Sequence, residues 1–194
     1  MRELILKMSM SLDGFVSDLE GTNMWMYGSD PESKAWAVGV TWNASLHIMG
    51  SRTFQGMAPF WPTSTMEFAA PMNQIPKAVF SKQGPAILKA ATVTEGLPGA
   101  ESWAQAYVAS GDLGDEIAKL KAQDGKPILA HGGVSFARSL VARGLVDQFV
   151  LGIHPIALGK GLPLFSDLAA PRPLKLVSST AFPGGAVAQV YRPA

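Results

Sequence analysis

The sequence predicts an α/β protein with a largely parallel sheet and an antiparallel C-terminal hairpin. Three observations carry this. Short apolar runs alternate with amphipathic helical segments along most of the chain, the pattern of strands and covering helices. Two of those runs pass through glycine, at Gly50 and at Gly132-Gly133, straight into a helix start. Near the end, residues 174–182 and 186–191 flank Pro183-Gly184-Gly185, a hairpin signal. Parallel strands with crossover helices are covered on both faces, and the hairpin adds an antiparallel edge.

Each element follows from local chemistry. Residues 4–10 read as a buried strand, broken by Ser11-Leu12-Asp13-Gly14. Residues 17–30 form a polar loop with an apolar patch, Met24-Trp25-Met26-Tyr27. Asp30-Pro31-Glu32 starts a helix: Asp as N-cap, Pro at the first position, an acid in the first turn. That helix runs to about Asn43 and buries Trp36. Residues 46–49 are the next strand, ended by Gly50, and 51–57 form a short helix. Residues 59–71, with Trp61 and three prolines, are irregular. A strand over 77–80 leads into the turn Ser81-Lys82-Gln83-Gly84. Residues 86–100 are poorly patterned, and 103–108 form a candidate strand. Asp112 then caps a helix with Leu113, Ile117 and Leu120 on one face and Gly125 just past its end. A strand over 128–130 meets Gly132-Gly133. The following helix carries Val134, Ala137, Leu140 and Val141 on one face and stops at Gly144. A strand over 146–153 and the hairpin complete the chain.

Composition sets limits. The 194 residues fit one domain, and 47% hydrophobic against 16% charged residues gives a sizeable core. The formal net charge is +1, with no basic block to track nucleic acid. Cysteine is absent, which excludes disulfides, thiolate catalysis and Cys-based zinc sites and fits a reducing compartment. The N-terminal apolar stretch is too short for a signal peptide, and no run approaches the ~20 apolar residues of a membrane span. The expectation is a soluble cytoplasmic protein acting on a small molecule, without nucleic-acid or membrane partners.

Three strand ends are candidate anion sites. At Gly132-Gly133 the backbone can approach a ligand closely, and the following helix start offers unpaired N–H groups to a phosphate; the alternative is a tight turn only. At Gly50-Ser51-Arg52-Thr53, Arg52 adds a planar cationic fork and Ser51 and Thr53 add hydroxyls; the alternative is a short helix capped by Ser51, with Arg52 solvated. Ser81-Lys82 is a third site or a polar turn beside a surface lysine. Ligands of α/β sheets lie outside the carboxyl ends of the strands. Two helix starts plus a cationic site match a pyrophosphate and a 2′-phosphate, favouring NADP over NAD.

The chain resembles the dihydrofolate-reductase-like superfamily, on the branch of the riboflavin-biosynthesis reductase, the RibD C-terminal domain. The resemblance spans nearly the whole chain. It rests on Ser11-Leu12-Asp13-Gly14, Met49-Gly50-Ser51-Arg52-Thr53-Phe54, Phe80-Ser81-Lys82, His131-Gly132-Gly133, Gly144-Leu145-Val146-Asp147 and the run from Pro155 to Gly161. It implies a single three-layer α/β/α domain, residues 1–194, and an NADPH-dependent reductase of a small pyrimidine- or pterin-like heterocycle, in the manner of 5-amino-6-(5-phosphoribosylamino)uracil reductases. It further implies that Gly50, Ser51, Arg52, Thr53, Ser81 and Lys82 hold the adenosine end of NADPH. Gly132, Gly133, Val134 and Ser135 would hold the pyrophosphate. The loop from Asp13 through Val16 to Ser17 would cover the nicotinamide. The resemblance also admits a homodimer.

The sequence departs from dihydrofolate reductases where they carry a first-turn carboxylate, since aligning Ala35-Trp36 puts Ser33 there. Folate reduction is therefore not expected. Trp25, Glu32 and Ser33 are the candidate substrate-binding residues. Asp13 is the candidate catalytic carboxylate, or a turn residue before Gly14. His47, His131 and His154 read as structural, and their spacing forms no metal motif. The rival to an enzyme is a non-catalytic NADP-binding or sensor module.

Overall fold

The computed structural model describes residues 1–28 and 30–194 and, for residues 27 and 28, the backbone alone. The chain forms two compact units: Met1–Leu4 with Val38–Gly133, and Ile5–Ala37 with Val134–Ala194.

The first unit holds a parallel sheet of β2 (Leu46–Gly50), β3 (Lys77–Phe80), β4 (Tyr107–Ala109) and β5 (Ile128–Ala130), ordered β4-β3-β2-β5. Its helices are α2 (Ser51–Phe60), α3 (Ala69–Gln74), the four-residue α4 (Glu101–Ala104) and α5 (Leu113–Lys121). The core is apolar and aromatic: Met49, Phe54, Met72, Val79, Ile87 and Trp103 are buried together. Parallel strands covered in this way read as continuous apolar runs, as residues 128–130 do and as residues 46–49 do apart from buried His47.

Three expectations change here. Trp103 sits in α4, and the strand begins only at Tyr107. Trp103 is held in place by long-range partners: its Nε1 donates to Asn73 Oδ1 at 2.9 Å, and Lys77 Nζ stands 4.7 Å from its ring. The poorly patterned stretch holds a 3-10 helix, Gly84–Thr94, with Ile87, Ala91 and Thr94 buried. Finally, α2 continues to Phe60, with Pro59 inside its last turn, and a 3-10 turn Trp61–Thr63 and α3 order the segment expected to be irregular.

In the second unit β1 (Leu4–Ser11) pairs in parallel with β6 (Gln148–His154). β6 pairs antiparallel with β8 (Val187–Pro193), and β8 with β7 (Leu174–Ala181), which is bulged between Leu176 and Ser178. The strand class is the predicted one, mostly parallel with an antiparallel C-terminal hairpin. Helix α1 (Pro31–Trp42), of which residues 31–37 belong to this unit, starts where Asp30 was expected to cap it. Helix α6 (Val134–Ala142) buries Ala137, Leu140 and Val141. It ends at Gly144, φ +68: the Leu145 N–H reaches the Leu140 carbonyl and the Gly144 N–H the Val141 carbonyl, each at 3.0 Å. This is a Schellman closure, which a left-handed glycine makes cheap. Among the described residues no helix is long and apolar enough to cross a membrane.

Candidate functional site

In the first unit, the predicted cofactor residues converge at the carboxyl ends of three adjacent strands, β3, β2 and β5. Gly50 is the N-cap of α2, with no side-chain cap bond and no acid in the first turn. Gly50 thus offers the first N–H groups of α2 no side-chain acceptor, and a helix start in that condition attracts an anion. Arg52 is exposed on the first turn, beside half-buried Ser51 and Thr53. Thr53 Oγ1 donates to the Gly132 carbonyl at 3.1 Å, and the His131 N–H donates to the Ile48 carbonyl at 2.9 Å. These bonds fix the glycine pair beside the α2 start. Gly133 has φ +88, and a Cβ there would collide with Thr53 Oγ1. Only glycine fits this turn without strain. Ser81 is buried, and its hydroxyl accepts the Gln83 N–H at 3.1 Å, closing the turn that presents exposed Lys82. His47 and His131 are both buried, edge to face at 4.5 Å.

In the second unit, the loop after β1 is clasped. Asp13 accepts from Ser11 Oγ at 2.6 Å, the Gly159 N–H at 2.7 Å and the Leu158 N–H at 3.1 Å. The Ser11 bond leads in pushing its carboxyl down to about 2. A carboxylate held this way carries no proton at neutral pH, so Asp13 anchors the loop. Val16 is buried, and its N–H donates to the Leu162 carbonyl at 2.9 Å, while the Leu162 N–H donates to the Ser17 carbonyl at 2.9 Å. Val134 and Ser135 open α6, which has no acid in its first turn.

The same unit contains a cavity of about 120 Å³ lined by Trp25, Asp30, His154, Pro155, Ile156, Gly184 and Ala186. Asp30 is the cap of α1. Its Oδ1 accepts from the Ser33 and Glu32 N–H groups at 2.9 and 3.0 Å, and its Oδ2 from the Gly184 N–H at 3.1 Å. The Ser33 bond leads in holding this carboxyl below its ordinary range. Ser33 is buried, with its hydroxyl turned back on the Asp30 carbonyl at 3.0 Å. Glu32 is exposed. Trp25 stands edge-on to His154 at 5.3 Å. Of the rest of the apolar patch, Met24 is exposed, and the Tyr27 side chain lies outside the described residues.

Sequence reasoning missed Lys7 and passed over His154. Lys7 lies on the half-buried face of β1, and burial pushes its ammonium down to about 8. His154 is shifted below its ordinary range, first by burial and then by the charge of Lys7. A signal for Lys7 existed. β1 alternates, with Leu4, Leu6, Met8 and Met10 buried on one face, and a lysine inside the other face of such a strand is costly unless used. No comparable signal marked His154, whose place beside Trp25 depends on the fold.

Known proteins share this architecture. A Corynebacterium diphtheriae pyrimidine reductase-like protein superposes with a TM-score of 0.68 at 18% identity, covering 100% of this chain and 92% of that one. The Thermotoga maritima diaminohydroxyphosphoribosylaminopyrimidine deaminase/5-amino-6-(5-phosphoribosylamino)uracil reductase gives 0.66 at 18% identity, over 100% of this chain and 57% of its own. In sequence, the chain is 30% identical over 193 residues to the uncharacterized protein YyaP of Bacillus subtilis, covering 98% of this chain and 94% of that protein. The RibD C-terminal domain family matches residues 2–188, and the chain belongs to that family.

Proposed function

We propose that this chain is a cytoplasmic NADPH-dependent reductase that transfers a hydride to a small heterocycle of the pyrimidine or pterin type. The observation that carries the reading is the cradle in the first unit: an uncapped α2 start, Gly133 with no room for a side chain, and the cations Arg52 and Lys82 at neighbouring strand ends. Its chemistry suits the phosphates of a dinucleotide, with Arg52, Ser81 and Lys82 set to read a 2′-phosphate. Bound NADPH supplies the hydride. The chain's own task is to bind and orient the nucleotide, to wall the substrate with Trp25 and His154, and to keep the loop from Asp13 to Ser17 fixed. Family membership supports a reductase, and the uracil reductase activity named for the Thermotoga relative supports the substrate type.

A second reading is a non-catalytic NADP-binding or sensor module. What favours it is the α1 start, where Ser33 stands in the first turn with its hydroxyl bound to the Asp30 carbonyl, and where Asp30 is used for capping.

Nucleotide titration and substrate-dependent NADPH consumption test both readings. NADPH is expected to bind much more tightly than NADH. Losing a charge-assisted hydrogen bond costs about 1.5–3 kcal/mol, so Arg52→Ala weakens NADPH about tenfold or more and leaves NADH nearly unchanged. Equal affinity for the two nucleotides would overturn the reading. Consumption of NADPH with 5-amino-6-(5-phosphoribosylamino)uracil and not with dihydrofolate supports the enzyme. Tight NADPH binding with no consumption across amino-pyrimidines and pterins supports the sensor.

A further inference from the structure

We infer that His154 is the proton donor of the reduction, acting from the wall of the cavity in the second unit. The inference rests on the reductase reading. Hydride addition, which leaves NADP+, puts the electron pair of the reduced bond on its nitrogen or oxygen, and that atom must take a proton. His154 gives up that proton, becomes neutral imidazole and recovers a proton from solvent.

The carboxylates do not supply this proton. Asp13 is held at about 2 by its clasp. Asp30 lines the cavity, but three backbone N–H groups engage it and its carboxyl is kept below the ordinary range. Glu32 is exposed and does not line the cavity. Of the lining side chains, His154 is the one whose ordinary value, 6.5, lies in the range where a proton is readily exchanged. It makes no hydrogen bond among the described residues, and neither of its ring nitrogens is sealed from solvent, in contrast to Trp25 Nε1. The sheet places it well for release. In the parallel register, Lys7, Ser9 and Ser11 of β1 stand opposite Val150, Gly152 and His154 of β6, on one face. A Cβ on Gly152 would lie 3.8 Å from His154 Nε2 and 3.9 Å from Ser9 Oγ, so both atoms border a glycine that puts no side chain between them. Burial first, and then the charge of Lys7, hold the imidazole below its ordinary value, which makes its imidazolium a stronger acid than a free one. The other groups facing it are the uncharged Trp25 indole, edge-on at 5.3 Å, and the Asp30 carboxylate of the same cavity. The hairpin contributes Gly184 and Ala186 there, without charge.

Imidazole NMR on the whole chain, without any turnover, gives the first readout. The chain has three histidines, and His154→Gln assigns the signal. His154 is expected to take up a proton with a midpoint below 6.5 while the chain stays folded. An imidazole that stays neutral until the chain unfolds in acid overturns the inference. Stopped-flow single turnovers with NADPH and 5-amino-6-(5-phosphoribosylamino)uracil give the second. The donor form is lost as pH rises through the midpoint, so the rate is expected to fall about tenfold per pH unit above it. His154→Gln is expected to remove that pH dependence and to lower the rate about a hundredfold or more, with NADPH affinity unchanged. A parent rate that stays level across the His154 midpoint overturns the inference without any variant, and so does a His154→Gln rate equal to the parent's. No turnover in the parent removes the reductase reading and the donor with it. Turnover that ignores His154 removes the donor alone.

Discussion

Helices α1 and α5 start on an aspartate, whereas α2 and α6 start on a glycine. The difference decides which helix ends the protein completes for itself. At α5, Asp112 accepts from the Gly114 and Asp115 N–H groups at 2.8 and 3.4 Å, and Asp115 and Glu116 add negative charge to the first turn. Its other end is closed as well: Arg2 donates to the Leu120 carbonyl through Nη2 at 2.8 Å and Nε at 3.2 Å. Asp30 finishes α1 in the same way. An anion approaching either start meets a carboxylate. The starts of α2 and α6 carry no acid in the first turn, and their preceding residues, Gly50 and Gly133, have no side chain to cap with. A helix that starts on glycine in this way forgoes a few tenths of a kcal/mol of capping relative to an aspartate. The loss is understandable where a phosphate completes the end.

The largest effect is expected from filling the space above an open end. Gly133→Val should remove measurable NADPH binding, a loss of about a hundredfold or more if the pyrophosphate contributes two or more charge-assisted bonds. It also costs stability, through a side chain at φ +88 and the collision with Thr53. Adding Thr53→Ala relieves the collision and should recover part of the melting temperature without recovering affinity. Recovery of both would show that the glycine serves the turn only.

Converting an open end into a closed one gives the next effect. Ser51→Asp puts an acid in the first turn of α2, which favours the helix dipole by about 0.3–1 kcal/mol. The same charge would face the nucleotide phosphates. The variant should be as stable as the parent or more so in urea, and bind NADPH about tenfold or more weakly. Tighter or unchanged NADPH binding would place the phosphates elsewhere.

Removing a closed end should do the opposite. Asp112→Ala is expected to lower unfolding stability by about 1 kcal/mol, within the range for lost caps, and to leave NADPH affinity unchanged. A chevron or urea midpoint measures the first and a fluorescence titration the second. A change in affinity would mean that β4 and its following helix take part in the site.

The contrast between helix ends was legible in the sequence because capping is local chemistry. Asp-Pro-Glu at 30–32 and Asp112 announce closed starts, and Gly50 and Gly133 announce open ones, from single residues and their neighbours. Strands with continuous apolar runs were legible for the same reason. What escaped depended on distant partners. Trp103 looks like a strand residue until Asn73 and Lys77 are seen to hold it in a helical turn. Ile87, Ala91 and Thr94 do recur at helical spacing, but alanine and threonine mark an apolar face only weakly, so the 3-10 helix was missed. Asp13 shows the limit from the other side. Its position in a turn before Gly14 was legible, yet the partners that fix its role, Leu158 and Gly159, lie far along the chain. The cavity is the extreme case. Trp25 and Asp30, His154, and Gly184 come from three separate segments, and no local pattern joins them.

The smallest expected effect separates carboxylates that serve the fold from the open ends, which have none to titrate. Asp13 is held at about 2 against an ordinary value of 3.8, chiefly by the Ser11 hydroxyl and the Gly159 and Leu158 N–H groups. A carboxyl with a depressed folded-state pKa contributes stability that is complete above its unfolded value and is lost as pH falls toward the folded one. Between pH 3.8 and about 2, the unfolded chain binds more protons than the folded one, so stability must fall with acid in that window. Asp30 adds to the slope in the same direction, because its carboxyl is also held low. Both groups are solvent-accessible, so each effect is small and weakens further in salt. Asp13→Asn keeps an acceptor oxygen and removes the titration. Urea midpoints measured from pH 5 downward should therefore show a shallower acid slope in the variant than in the parent, with the two curves differing mainly above pH 3.8. Parallel curves over the whole range would show that the clasp from Asp13 to Leu158 and Gly159 does not hold the loop in solution.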